Sequence, residues 1–440
     1  MRRALAEERI TEGNLIAREP HWLERMTAGR WYALSGDAPD LGLPPTARGT
    51  RFLADTDPGR DPVLNPARTV RERLRRLAGR EPKSPWHGVA GFSAITEGWN
   101  SAICASGCGA SGSMIVYGGG HNDYFGSSVH AFDLETREWR RLSDGYVAGS
   151  DEAYGAGAVY PSSVYPDGSP LPPHTYDYLQ YDAQGNDCIL FKGQIELGPN
   201  VKAVAIPHMF NLDAQAWRHG PRHPSAILNS GGFTTWDASR RIAWGHSGDD
   251  GGGNAFVGFA PDGDNGDGTF GCWTERFPSK FRGTANHNAM QIEPACDLIV
   301  VAVHARQALY AIDPAAPGTE SARLDSTGDK PLLRAHAALQ YAPNLRCVVY
   351  FSPLDHGSVF TLAAPAPERS PVNLSRPWRW AARLPEAGTL DPIADAAGRS
   401  RFPVNLEQCF GRFRVASFGT IDVAMLVRHV DTPVYAMRLD

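Results

Sequence analysis

The chain has 440 residues, 42% of them hydrophobic and 21% charged, with 46 Gly, 34 Pro and a formal net charge of −5. Such a composition belongs to a folded chain rich in strands and turns and excludes a disordered polyampholyte. The net charge gives no electrostatic reason to expect nucleic acid or an anionic membrane as partner.

The first residues, Met1-Arg-Arg-Ala-Leu-Ala-Glu-Glu-Arg-Ile10, carry basic side chains but no apolar core. They do not read as a secretory signal, and nothing downstream reads as a membrane span, so synthesis in the cytoplasm and no membrane insertion are expected. Residues 1–28 read as an N-terminal arm with short helical stretches at Leu5 to Arg9 and Leu23 to Met26. Gly29-Arg-Trp-Tyr-Ala-Leu34 reads as a strand. A connecting segment over 35–84 follows, holding a basic helix at Ala67 to Arg80 with Val70, Leu74 and Leu77 at helical spacing. That helix reads first as a solvated element lying on the domain and second as a dock for an acidic partner.

From residue 85 onward the chain repeats one layout. Ser113 to Tyr117 is an apolar strand, Gly118-Gly-Gly-His121-Asn-Asp-Tyr124 a polar loop, Val129 to Leu134 a second strand, and Trp139-Arg-Arg-Leu142 an outer one. Trp217, Trp273 and Trp380 mark the same outer position, and the span between Trp273 and Trp380 is long enough for one extra unit without its tryptophan. That unit is Asn286 to Ile292, Asp297 to Val303 and Ala308 to Asp313; the next is Ala335 to Tyr341, Arg346 to Phe351 and Ser358 to Leu362. The C-terminus supplies only three strands, beginning at Gly411, Val423 and Pro433. Gly29 to Leu34 supplies the missing fourth, which closes a ring and removes its sheet edges. Repeats of this length indicate a radial array, an all-β propeller filling 29–440. Six blades are counted, and a seventh within 40–85 or 143–172 is the alternative.

In such a ring, loops from successive blades meet at the end of the central channel. The candidate ligand-binding residues are therefore Trp99, His121, Asp123, Tyr124, His174, Tyr176, Trp236, His246 and Arg412. Aromatic faces beside histidines, a carboxylate and a guanidinium suit a hydroxyl-rich ligand. For β-elimination on a uronate, Arg412 would hold the carboxylate, His121 or His174 would take the proton, and Tyr124 or Tyr176 would give one back. The plainer reading of His121 and Asp123 is a braced loop. His287, His336 and Arg414 rank behind these, the two histidines being expected chiefly as inter-blade hydrogen-bonding groups.

Other chemistry is not indicated. Asp262-Gly-Asp-Asn-Gly-Asp-Gly268 lacks a glutamate at the twelfth position, where Trp273 stands, and reads as a hairpin turn rather than a calcium loop. There is no HExxH, nucleophile elbow or phosphate loop, and neither metal nor cofactor is expected. The seven cysteines, mostly within strand-like runs, read as free buried thiols; Cys104 and Cys108 alone are close enough in sequence to suggest a bridge or a metal pair.

Tyr117 to Gly126 with Val129 to Leu134, Pro173-His-Thr-Tyr176 and Gly411 to Val415 resemble bacterial and phage kelch-like propellers of the galactose-oxidase type. Ulvan-type polysaccharide lyases look like relatives on the same scaffold. The resemblance covers most of 85–440 and implies a kelch-like β-propeller; the copper-radical residue set of galactose oxidase is not matched here. A cytoplasmically made propeller suited to glycans implies first a virion-associated protein, on a phage tail or capsid, that has a structural or host-glycan-recognising role. Its partners would be a surface polysaccharide and other virion subunits, the latter through 1–28. A polysaccharide lyase is the second expectation and an intracellular protein-binding kelch platform the third.

Overall fold

In the computed structural model the described residues are 15–16, 18–46, 93–96, 99–118, 127–143, 164–165, 167–194, 203–225, 228, 230–248, 255–399, 408–429 and 432–440. His121, Asp123, Tyr124, the basic helix over 67–80 and residues 1–14 lie outside them.

The chain forms six antiparallel sheets arranged as the blades of a β-propeller. Blade 1 runs Ser101–Ala105, Ser113–Tyr117, His130–Asp133, Glu138–Arg141 from the axis outward, and blade 2 runs Leu179–Asp182, Asp187–Leu190, His208–Asn211, Ala216–His219. Blade 3 is Phe233–Asp237, Ile242–His246, Ala255–Asp264, Phe270–Trp273, and blade 4 is Ala289–Glu293, Leu298–Val303, Ala308–Ile312, Ala322–Leu324. Blade 5 is Ala338–Ala342, Cys347–Phe351, Val359–Ala363, Trp378–Arg383. Blade 6 combines Phe413–Phe418, Ile421–Val427 and Val434–Arg438 with Trp31–Ala33 from the other end of the chain. The first strands of consecutive blades neighbour one another all the way round, so the ring is closed.

Local chemistry explains the blades. Hairpins turn where an Asp or Asn accepts backbone amides and a later residue takes a left-handed conformation: Asp237 Oδ1 accepts Ser239 and Arg240 N–H, and Arg241 has φ 52°. The outer tryptophans read from the sequence do lie on outer strands. Trp139 packs on Phe132 at 5.5 Å, Trp217 on Phe210 at 5.1 Å, Trp273 on Phe259 at 5.3 Å and Trp380 on Tyr350 at 6.0 Å. Blade 4 has Ala322–Leu324 instead, the unit without a tryptophan. The acidic run at 262–268 is the hairpin between the third and fourth strands of blade 3.

The N-terminal segment joins the ring from Leu15 onward. Leu15–Ile16 pair in parallel with the inner strand Phe413–Phe418 of blade 6. Trp22 is fully buried and donates its indole N–H to Leu134 O at 2.6 Å, and Trp31 donates to Gly357 O at 2.8 Å. The termini are thereby tied to blades 1, 5 and 6. No helix among the described residues is long and apolar enough to cross a membrane.

All seven thiols are free. Cys104 and Cys108 form no bridge, and Cys272 departs from the expected burial by being exposed.

Candidate functional site

The first strand of every blade begins at the same end of the channel, so the residues just before these strands meet at one mouth. Five of the six positions share a left-handed backbone: Tyr176 (φ 44°), Gly231 (72°), His287 (57°), His336 (62°) and Phe410 (43°). This conformation turns each chain inward and lets its amide reach the preceding blade. Tyr176 N–H donates to Trp99 O at 2.6 Å, His287 N–H to Gly231 O at 2.7 Å, His336 N–H to His287 O at 3.1 Å and Phe410 N–H to His336 O at 3.0 Å. The mouth is thus a belt of inter-blade backbone bonds, which fixes the direction of the side chains above it. At Gly231 a Cβ would come within 2.9 Å of the His287 ring, so a glycine is needed there.

Trp99 stands in the middle of this belt. Its ring is stacked on His287 at 5.6 Å and edge-on to His336 at 5.5 Å, with Tyr176 and Phe410 each at 6.0 Å and His174 at 6.2 Å. The two imidazoles of blades 4 and 5 lie edge-to-face at 4.3 Å. Trp99, His287 and His336 are half-buried, whereas His174 and Tyr176 are buried behind them. The result is an aromatic platform edged by imidazole nitrogens.

Positive charge gathers underneath. Lys192, two residues past the second strand of blade 2, is 1% exposed and places Nζ 4.9 Å from the centre of the Tyr176 ring. Burial lowers its ammonium pKa to about 7. His174 is pushed down to about 3 by burial and then by Lys192, and His336 to about 3 by burial and then by His287 and His304. Both imidazoles are neutral at pH 7. Arg412 is 2% exposed; it donates to Thr96 O and, at 2.9 Å, to Gln408 O, which also accepts Arg428. Arg414 lies deeper, paired with Asp177 at 3.1 Å.

The structure therefore brings Trp99, His174 and Tyr176 together, with Arg412 behind them. His246 is not part of this group: it is fully buried, stacked on Phe233 at 5.0 Å, with Nδ1 on Ser247 O and Nε2 accepting Lys280 N–H at 3.1 Å. Trp236 lies farther along the inner strand of blade 3, packed against the core shared by blades 2 and 3. His287, His336, Phe410 and Lys192 belong to the mouth although the sequence ranked the first two low and passed over the others. For Lys192 the signal was present: one lysine follows the apolar run Cys188-Ile-Leu-Phe191. Among the described residues no group of three or more His, Cys, Asp or Glu is placed to hold a metal ion.

Fold and mouth together define the class: a six-bladed β-propeller with an aromatic, histidine-edged channel mouth. No protein-family model matches the chain, and no curated protein matches it either.

Proposed function

We propose that the protein is a glycan-recognising, kelch-like propeller and that its channel mouth takes an acidic saccharide. The observation that carries this reading is the Trp99 platform, whose indole has His287 stacked at 5.6 Å and His336 edge-on at 5.5 Å. A half-buried indole offers the apolar face of a sugar ring a surface, and imidazoles at its edge offer hydrogen bonds to hydroxyls. Arg412 and Arg428, buried and bonded to main-chain carbonyls, add a positive field that favours a ligand with carboxylates. A phage virion as the setting belongs to this reading and rests on the sequence alone.

Recognition is favoured over elimination by the state of the groups. A general base works best with a pKa near the operating pH, and His174 at about 3 is far below it. Arg412 directs its guanidinium to the main-chain carbonyls of Thr96 and Gln408.

The test is a panel of uronate-containing and bacterial surface polysaccharides, scored for retention of the protein and for absorbance from new carbon-carbon double bonds. Retention without absorbance, lost in Trp99→Ala, is the expected outcome. A rise in absorbance would replace this reading by a lyase; neither signal would replace it by a protein-binding platform.

A further inference from the structure

Of the 43 basic residues only five are lysines, at 83, 192, 202, 280 and 330. An arginine stays charged under all ordinary conditions, whereas a lysine in an apolar site can give up its proton and become a nucleophile. Among the described lysines, Lys330 is exposed and Lys280 donates Nζ to Thr319 O at 2.5 Å. Lys192 is different: its Nζ is buried without a hydrogen-bond partner among the described residues. No carboxylate among the described residues pairs with it, and its surroundings are the ring faces of Tyr176 at 4.9 Å and Tyr178 at 5.9 Å, with His174 close by. The Tyr178 hydroxyl is turned away toward His246 O at 3.5 Å. The Tyr176 ring beside the amine is also 6.0 Å from the Trp99 ring, so the amine and the Trp99 indole share Tyr176 as a neighbour.

We propose that Lys192 is a covalent capture site for carbonyl compounds: its amine condenses with an aldehyde or ketone presented at the channel mouth, such as the open-chain reducing end of a saccharide. The saccharide in that statement rests on the proposed function; the amine's reactivity does not. The Nζ lone pair forms the C–N bond while the carbonyl π pair moves to oxygen, which takes one proton. The carbinolamine then loses that oxygen as water together with the second amine proton and leaves a C=N bond. One water is released per carbonyl bound, and no oxidant or reductant is consumed. The pKa of about 7 means that roughly half the amine is neutral at pH 7, against fewer than about one in a thousand for an ordinary lysine.

The full-length protein is treated briefly with acetaldehyde and sodium cyanoborohydride between pH 6 and 9, and the alkylated lysines are identified by peptide mass spectrometry. The same is done with Tyr176→Gly, whose backbone already has φ 44°, where glycine is at ease. No saccharide is present, so this result and that of the polysaccharide panel fail separately. At pH 7 Lys192 is expected to be alkylated at least about tenfold faster than Lys330, with the ratio falling as the pH is raised toward 9. Lys192 ahead only in Tyr176→Gly supports the proposal and makes that ring its cover. Lys192 lagging Lys330 in both proteins, or a ratio that does not change with pH, overturns it. The Lys192→Met protein serves as the control for the modified peptide.

Discussion

Arg414 Nη2 meets Asp177 Oδ1 at 3.1 Å in a site where both side chains are almost wholly buried. The same guanidinium donates to Ala102 O at 2.7 Å and Leu179 O at 3.1 Å, so one side chain of blade 6 is joined to the inner strands of blades 1 and 2. Burial raises the Asp177 carboxyl to about 6 in spite of the arginine beside it. The pair thus ties three blades together beneath the mouth while paying a desolvation cost.

Breaking this pair from one side leaves a buried charge alone. Arg414→Met is expected to lose about 3–5 kcal/mol in urea unfolding, and Arg414→Met with Asp177→Leu to recover part of that loss. Equal losses in the single and double variants would mean that the other bonds of Arg414, not the ion pair, hold the seam.

The N-terminal closure makes a second prediction. Trp31 fills the core between blades 5 and 6 and bonds Gly357 O. Trp31→Ala should cost about 3–5 kcal/mol through the cavity and the lost bond, read as a lower denaturant midpoint. A shift of under about 1 kcal/mol would show that the ring holds without its N-terminal strand.

Lys192 gives stability a pH dependence whose sign follows from its lowered pKa of about 7. Between about pH 7 and 10 the unfolded chain keeps the proton that the folded chain has lost, so this group adds stability as pH rises, by roughly 1 kcal/mol per pH unit. Below pH 7 both states are protonated and its contribution is flat at its least favourable value. Lys192→Met should therefore be more stable than the wild type at pH 6.5, with the advantage shrinking as pH rises toward 10. Parallel stability curves for the two proteins would contradict this.

Thiol chemistry should single out one cysteine. Cys272 is exposed, whereas burial raises Cys104, Cys188, Cys347 and Cys409 to about 12. Reaction of the native protein with an aromatic disulfide reagent at pH 8 is expected to show one fast thiol, absent from Cys272→Ser. Several fast thiols would mean that blade cores open readily.

The ring was largely legible in the sequence because its signals are local. Trp139, Trp217, Trp273 and Trp380 mark the outer strands of blades 1, 2, 3 and 5, and the shortage of one strand after Pro433 points back to Trp31. The mouth was less legible because it is assembled from single residues of different blades. His174, Tyr176 and Trp99 qualify by residue type and do converge; His246 qualifies on the same ground, but it ends a second strand and turns into the core on Phe233. Lys192 and Phe410 are harder to read because an apolar strand end and an isolated Phe look like core, and only the left-handed turn at Phe410 and the Tyr176 ring beside Lys192 bring them to the mouth.

The central claim is that ligand engages the Trp99 mouth. Hydrogen–deuterium exchange with and without a uronate oligosaccharide retained in the panel tests it most directly. Slower exchange is predicted in peptides holding Trp99, Tyr176, His287, His336 and Phe410, and it should vanish in Trp99→Ala. Protection confined elsewhere, for instance to the outer groove between blades 4 and 5 lined by Gln307, Arg323, Lys330 and Trp380, with the mouth unchanged, would contradict it.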